Sequence, residues 1–130
     1  MDGLIVRQPF ADLIASGLKT WELRRRPMHL SGRFYILAGS KPDRSASPTE
    51  RQRLGVAVAT AEQTDLLGPL SVAELAKHFR QHRASVEQLR TYAGKGNLYA
   101  LTLRVRRLKQ TRRYRMRPGA VTIVRDVQLR

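Results

Sequence analysis

The segment that begins at Leu98 alternates between two kinds of side chain, and this pattern constrains the fold more than any other in the chain. In an extended backbone, one face carries Tyr99, Leu101, Leu103 and Val105, and the other carries Ala100, Thr102, Arg104 and Arg106. A period of two residues is typical of a strand with one face on a core. The sequence therefore predicts a sheet strand whose outer face becomes basic.

Two helices are predicted from the residues at their N-termini. Ser71 and Glu74 have the spacing of a capping box, and Ser85 and Gln88 repeat it. The first helix begins after Ser71, and the second runs from residue 86 to 92 and stops at Gly94. The glycine-rich residues 94–97 then form a turn.

Short apolar runs and turn residues predict the other elements and the fold class. In chain order these are a strand at 4–6, a helix from Pro9 to Gly17, a strand that ends at Arg24–Pro27, a strand at 33–38, a polar loop at 41–53 with one helical turn, a strand at 54–61, a turn at 117–120 and a strand at 121–124. Five or six short strands with helices inserted between them predict an α+β fold. A length of 130 residues predicts one domain that spans residues 1–130.

The charge of the chain predicts a polyanionic partner. The sequence has 25 basic and 10 acidic residues, and the stretch from Gln88 to Arg125 contains eleven basic residues and no acidic one. Nucleic acid is the leading candidate, and the alternative is a solvated basic face. No apolar run approaches the roughly 20 residues of a membrane span, and no signal peptide is evident. We expect a cytoplasmic protein with no membrane partner.

Residues 17–24, with the sequence Gly-Leu-Lys-Thr-Trp-Glu-Leu-Arg, place three charged side chains directly after a predicted helix. In an extended segment Glu22 and Arg24 share one face, and Lys19 and Trp21 share the other. Glu22 then orients Lys19 or Arg24, or accepts a hydrogen bond from a base. Trp21 either stacks on a base or packs in the core. Like charge at residues 24–26 would lower the pKa of Lys19 and Glu22 would raise it, so the sequence leaves the net direction open.

This spacing, Gly-x-Lys-x-x-Glu-x-Arg, follows Arg7-Gln8-Pro9-Phe10 and precedes Ser31-Gly32-Arg33-Phe34-Tyr35-Ile36-Leu37-Ala38. Together these segments resemble the ASCH family, named for homology to activating signal cointegrator proteins, over residues 3–42. The family is similar in fold to PUA domains. The resemblance implies a mixed β-barrel of five to six strands with flanking helices, a cleft lined by the Lys-Glu-Arg motif, and a role related to RNA.

The predicted function is that of an RNA-binding protein, which holds RNA or a modified nucleotide in a basic cleft. Lys19 and Arg24 would contact phosphate, and the basic C-terminal third would hold the backbone. The predicted binding residues are Gln8, Lys19, Trp21, Glu22, Arg24, Arg33, Lys41, Arg104 and Arg106.

A hydrolase is the first alternative. The resemblance extends to small bacterial proteins described as amidohydrolases of acylated cytidine, which use a lysine, a threonine and a glutamate, and to relatives reported as ribonucleases. Lys19 matches that lysine, but Glu22 occupies the threonine position. As an enzyme, the protein would use Lys19 as base and Glu22 as its partner, with Glu74 or Glu87 as candidates for the third group. The second alternative is a coregulator-type module that docks a protein in the same cleft.

No cofactor and no metal site is predicted. The absence of cysteine excludes disulfides, thiolate zinc sites and cysteine nucleophiles. His78 and His82 stand four residues apart on the predicted Ser71 helix, which is the spacing of paired metal ligands. The residues between them lack the glutamate of the metalloprotease motif, and no serine-hydrolase elbow, Walker loop or dinucleotide fingerprint is present.

Overall fold

The computed structural model describes residues 1–116 and 122–130. In chain order the elements are β1 (Gly3–Val6), α1 (Phe10–Ala15), β2 (Trp21–Arg24), β3 (Arg33–Ala38), α2 (Pro48–Arg51), β4 (Val56–Leu70), α3 (Val72–Ala76), α4 (Phe79–His82), α5 (Val86–Ala93), β5 (Leu98–Arg113) and β6 (Ile123–Val124). The predicted turn at 117–120 and the first residue of the predicted strand at 121–124 lie outside the described residues. The α+β class is as predicted.

The strands form one mixed sheet in the order β2-β5-β4-β3-β1-β6. The β1 and β3 strands are parallel, and the other neighbouring pairs are antiparallel. Within the described residues β2 and β6 are the two edges and do not pair, so the sheet is open. The closure into a barrel that the resemblance implied is therefore absent from this part of the chain, where β6 contributes only two residues beside β1.

The strand β4 extends beyond its predicted limit. The sequence predicted a strand at 54–61, but β4 continues to Leu70 because it pairs with β5 along most of its length. Three register shifts interrupt this pairing, and one of them lies next to Gly68. Gly68 has φ +128°, a conformation that side-chain-bearing residues rarely adopt. This irregular, glycine-containing segment explains why the hydrophobic pattern does not reveal the second half of the strand.

Both faces of the sheet bury apolar side chains. The face that we call the α1 face carries Phe34 and Val105 and packs against α1 through Ile14. On the opposite face, which we call the outer face, α3 and α5 cover Leu23, Ala100 and Leu98 at one end. Near the other end, Leu37, Ala57, Tyr114, Val124 and Val127 form a third cluster. Apolar clusters thus cover the two ends of the outer face, and a stretch of the sheet lies between these ends.

The capping boxes form as predicted, but the Ser71 helix is shorter than expected. Ser71 and Glu74 cap α3, and Ser85 and Gln88 cap α5, which ends before Gly94 at φ +59°. The chain leaves the helical conformation at His78 (φ −120°, ψ 33°), so α3 and α4 are separate. The prediction that His78 and His82 lie on one helix is therefore wrong. In the described part of the chain, no helix is both long and apolar enough to cross a membrane.

A buried glutamine fixes the loop between β3 and β4 against α1. The Gln8 backbone carbonyl accepts a hydrogen bond from Asp43 N at 2.7 Å, and its side-chain amide donates to the Arg53 carbonyl at 3.2 Å. Its side-chain oxygen accepts from Asp12 N in the first turn of α1. Asp12 in turn pairs with Arg53 at 2.8 Å. Gln8 thereby positions the polar loop beside the motif, and this loop contains the predicted helical turn as α2.

Candidate functional site

The Lys-Glu-Arg motif lies on and before the edge strand β2. Gly17 turns the chain out of α1 with φ +83°, and β2 then pairs antiparallel with β5. Glu22 and Arg24 lie on one face of the strand, as predicted, and their side chains form an ion pair at 2.7 Å. Lys19 precedes the strand, so the alternation does not govern it, and its ammonium lies 3.6 Å from Glu22. The prediction that Lys19 and Glu22 lie on opposite faces is wrong for this reason.

Lys19 is almost fully buried, with 2% of its surface exposed. Its ammonium donates a hydrogen bond to the His82 backbone carbonyl at 2.7 Å and lies 5.1 Å from the centre of the Phe10 ring. Burial lowers the pKa of Lys19, Glu22 acts to raise it, and the positive charge of Arg24 adds to the lowering. The sequence argument left the net direction open; the pKa is lowered, and the main cause is burial and not like charge.

Arg24 connects the motif on the edge strand β2 to β1, which lies four strands away in the order of the sheet. One of its terminal nitrogens donates to Glu22 and to the Ile5 backbone carbonyl, both at 2.7 Å. Its Nε atom is buried and has no hydrogen-bond partner among the described residues. Only 13% of the Arg24 side chain and 10% of the Glu22 side chain are exposed. Lys19, Glu22 and Arg24 therefore form a nearly enclosed charged network.

The two histidines near the motif occupy different environments. His82 is buried, with Nε2 2.6 Å from the Leu75 carbonyl and Nδ1 accepting from Ala84 N at 2.9 Å. These partners require the neutral ring with its proton on Nε2, and burial lowers the pKa of His82 accordingly. The exposed His78 ring instead contacts Trp21, with centroids 5.0 Å apart. Within the described residues no three His, Cys, Asp or Glu side chains have an arrangement that could hold a metal ion.

Hydrogen bonds between polar side chains join the β3–β4 loop to α5. The Asp43 carboxylate accepts from Ser45 N and Oγ and from the Gln88 amide, at 2.6–3.2 Å. Burial acts to raise the pKa of Asp43, but these hydrogen bonds bring it below its ordinary value. Burial raises the pKa of Tyr92 on α5, and the charges of Arg24 and Glu22 also influence it. Tyr92 therefore lies within electrostatic reach of the motif.

An open cleft of about 750 Å³ begins where β2 ends. Its lining consists of Arg25, Arg26, Pro69, Ala93, Lys95, Gly96, Asn97 and Tyr99. The pairing of Arg24 with Tyr99 brings the end of β2 beside the start of β5. The α5–β5 turn adds Lys95 and Asn97, and Arg25 extends over Gly94, where a β-carbon would be 3.8 Å from its Nη2 atom. Among the described lining residues, three cations and no carboxylate thus surround one aromatic ring and one side-chain amide.

The family of the chain follows from the comparison with known domains. The sequence model of the ASCH domain matches residues 4–120, which is most of the chain. The chain belongs to the ASCH domain family. This family is PUA-like and is associated with RNA binding. No curated protein matches the sequence.

Solved ASCH structures have the same fold. The chain superimposes on the ASCH protein from Zymomonas mobilis with a TM-score of 0.59 and 26% identity, covering 79% of this chain and 66% of that one. For a serine-to-alanine mutant of that protein the TM-score is 0.62 at 26% identity, with 83% and 70% covered. For a tyrosine-to-phenylalanine mutant it is 0.59 at 27% identity, with 86% and 72% covered. This ASCH chain thus spans about two thirds to three quarters of the length of those chains.

The predicted site residues do not lie together in this ASCH domain. Glu22 and Arg24 pair with Leu101 and Tyr99 and share the α1 face. Arg33 on β3 and Arg104 on β5 are each paired in register with Glu62 on β4, and both lie on the outer face. Arg106 is two residues further along β5 and shares that face. The one site that the sequence predicted is therefore divided between two faces of the sheet.

Three other predicted residues have distinct positions. Gln8 is fully buried and contacts the loop and α1, as described above. Trp21 is half-buried, packs beside the α3–α5 cluster and contacts His78. Lys41 is exposed on the loop that Gln8 positions. The other candidate acids, Glu74 and Glu87, are exposed, and Glu74 is occupied in the α3 capping box.

The cleft residues beyond the motif were not among the predicted site residues. The sequence pattern places Arg25 and Arg26 at the end of a strand, as charges near Lys19, and it places Lys95 and Asn97 in a turn. Tyr99 is about 75 residues away from Arg24 in the chain, and only the antiparallel pairing of β2 with β5 brings the two together. A usable signal was present, because cationic residues stand at both predicted chain reversals.

Proposed function

We propose that this ASCH domain binds single-stranded RNA in the cleft between the end of β2 and the α5–β5 turn. One observation carries the proposal: Arg25, Arg26 and Lys95 converge on a cleft of about 750 Å³ whose described lining residues include no carboxylate. Exposed cations of this kind bind phosphates and release counterions. Tyr99, which is partly exposed in the same cleft, supplies a surface for base stacking.

Asn97 gives the cleft a group that can distinguish bases. Its amide has both a donor and an acceptor, and it is exposed in the cleft. RNA is read in sequence mainly as unstacked single strands, whose bases offer their hydrogen-bonding edges to such groups. The same amide can form hydrogen bonds with the base of a modified nucleotide.

In this proposal the Lys-Glu-Arg network positions the strands that form the cleft. Its residues support the cleft and are not the main phosphate contacts that the sequence predicted. Lys19 is already bonded to a backbone carbonyl, and Arg24 is bonded to Glu22 and Ile5. Arg24 is adjacent to Arg25 and paired with Tyr99, so its fixed position determines how β2 and β5 frame the cleft. The network also places positive charge just behind the bound phosphate.

Fluorescence anisotropy tests the proposal with a labelled single-stranded RNA of about twelve nucleotides, within the size range of single-strand sites. The variants are Arg25→Ala and Lys95→Ala, and their charge-matched controls are Arg80→Ala and Lys77→Ala at exposed positions of the α3–α4 region. Each cleft variant should weaken binding and reduce the slope of log Kd against log salt by about 0.7, the value for one phosphate contact. The controls should keep the wild-type slope.

Duplex RNA and single-stranded DNA of the same sequence complete the comparison. Preference for single-stranded RNA that depends on Arg25, Lys95 and Tyr99 supports the proposal. Equal binding of all three polyanions, with cleft variants no weaker than their controls, would show a nonspecific basic surface and refute it.

The buried amine of Lys19 favours hydrolysis as a second candidate function. A lysine whose pKa is lowered by burial can act as a general base, and Glu22 lies 3.6 Å from its ammonium. Acylated cytidine and RNA are the substrates to assay, with wild type and Lys19→Met compared for product formation. Turnover that Lys19→Met abolishes while the far-UV circular dichroism spectrum is retained supports this candidate, and intact substrate with wild type removes it.

A further inference from the structure

We propose that the stretch of the outer face between its two covered ends is a second contact for RNA, one that takes the phosphates of a single strand extending out of the cleft. We call this stretch the outer window, and it consists of Arg33, Tyr35, Thr60, Glu62, Arg104 and Arg106. The inference rests on the proposed function, because it assigns a further part of the same RNA to a different surface.

The window is built from two rows of directly paired residues. Arg33 on β3, Glu62 on β4 and Arg104 on β5 form the first row. Tyr35, Thr60 and Arg106 form the second, two residues further along each strand. Since paired residues point to the same side of a sheet, all six side chains belong to the outer face. The window is therefore about three strands wide.

Among the described residues, most of these two rows lies outside the three apolar clusters; Tyr35, which is half-buried, packs against the cluster that includes Tyr114. Arg33, Arg104 and Arg106 are exposed, whereas Leu98 and Ala100 at one side are fully buried under α3 and α5. Towards the other side Leu37 and Val124 are buried in the cluster that includes Tyr114. The window is thus a shallow trough of open sheet with a raised border at each end.

The three arginines of the window outnumber its single carboxylate, Glu62. Glu62 lies 3.7 Å from Arg33, but both side chains are about half exposed, so this pair is weak and easily separated by solvent. In the described part of the chain neither Arg104 nor Arg106 forms an ion pair with a carboxylate. Two free guanidinium groups on one face, spaced two residues apart along β5, suit successive contacts to a phosphodiester backbone.

A single strand can reach the window from the cleft around the edge of β5. The short β2 pairs with β5 only from Tyr99 to Thr102, and Leu103 N donates to the Thr20 carbonyl at 2.9 Å, so among the described residues the stretch of this edge directly after Leu103 has no strand beside it. Tyr99 in the cleft and Arg106 in the window are seven residues apart, which corresponds to about 23 Å along a strand. An RNA that occupies both surfaces must therefore be longer than one that fills the cleft alone.

The test compares two single-stranded RNA probes, of about 4 and about 16 nucleotides, which bracket the range of single-strand sites. The variants are Arg104→Ala/Arg106→Ala for the window and Arg25→Ala/Lys95→Ala for the cleft. The control is Lys77→Ala/Arg115→Ala, which removes the same charge from exposed positions outside both surfaces. Near 0.15 M salt, loss of two phosphate contacts should weaken binding about tenfold and reduce the salt slope by about 1.4.

We expect the window variant to lose this affinity for the long probe and to bind the short probe like wild type, while the cleft variant is weakened for both. A window variant that binds the long probe as well as the control does, with the cleft variant still weakened, would overturn this inference and leave the proposed function intact. Equal weakening of both probes by the window variant would also overturn it, because that would reflect charge alone. If neither variant differs from the control, the proposed function itself fails.

Discussion

Replacing Glu22 with glutamine should destabilise the domain strongly, because this carboxylate is shared by two buried cations. Its oxygens lie 3.6 Å from the Lys19 ammonium and 2.7 Å from a terminal nitrogen of Arg24. The three side chains are only 3%, 10% and 13% exposed, so solvent cannot replace the lost charge. The variant keeps the shape of the side chain and removes its negative charge.

The expected loss follows from these distances. At an effective dielectric constant of about 20, the attractions to Lys19 and Arg24 are about 5 and about 6 kcal/mol, and desolvation of the ions offsets most of this. Loss of one partner from a buried ion pair costs about 3–5 kcal/mol. Glutamine retains an oxygen that accepts from Arg24, so we expect the lower end, about 3 kcal/mol. Removing the Lys19 charge as well, with Lys19→Met, should recover at least about 1 kcal/mol.

Urea unfolding at pH 7, followed by circular dichroism, gives the free energy of unfolding for wild type, Glu22→Gln, Lys19→Met and the double variant. Glu87→Gln is the control, because Glu87 is exposed and its replacement should change stability by less than about 0.5 kcal/mol. A loss below about 1 kcal/mol for Glu22→Gln, or strictly additive effects of the two substitutions, would refute the view that this carboxylate neutralises the buried network.

Three further variants test other parts of the structure. Burial lowers the pKa of His82 below 6.5, so the unfolded chain takes up a proton more readily than the folded one. The free energy of unfolding should therefore fall between pH 7 and pH 5, by at most about 1.4 kcal/mol per pH unit from this group. In urea titrations, His82→Gln should flatten this dependence on pH. Gly68→Ala places a β-carbon 2.9 Å from a β5 carbonyl at φ +128° and should lower the free energy of unfolding by about 2–4 kcal/mol. In the control Gly96→Ala, the β-carbon is 3.6 Å from its nearest neighbour, so the loss of stability should be far smaller. Equal midpoints of the two variants in thermal unfolding would contradict this geometry. Tyr114→Phe removes a buried hydrogen bond to the Ala38 carbonyl at 3.1 Å and should cost about 1–2 kcal/mol in urea unfolding, and a variant as stable as wild type would show that this bond contributes nothing.

The parts of the fold that depend on residues close together in the sequence were predictable. Ser71 and Ser85 cap their helices through residues three positions later, and Gly94 ends α5 because it can adopt a positive φ. The α+β class follows from the same local signals. The end of α3 was missed because no glycine or proline marks it, and the chain changes conformation at His78 without such a residue.

The site was less predictable because it depends on strand pairing. The sequence indicated that Lys19, Glu22 and Arg24 act together, and the structure brings their side chains into one network. Strand alternation could not give the position of Lys19, which lies before β2 begins. The division of the basic residues between two faces follows from the register of Arg104 opposite Glu62, and register between distant strands is not encoded in any local pattern.

Because the strand β5 supplies side chains to both faces of the sheet, its alternation limits which codon deletions the protein can tolerate. Tyr99 faces the cleft and Arg104 faces the outer side, so the two positions are related by an odd number of residues. Removal of a single codon between them would turn Arg104 and Arg106 towards the core that Val105 now fills and would turn Val105 out to solvent. Removal of two codons would keep every side chain on its side. We therefore expect homologous sequences to differ in the length of this strand only by even numbers.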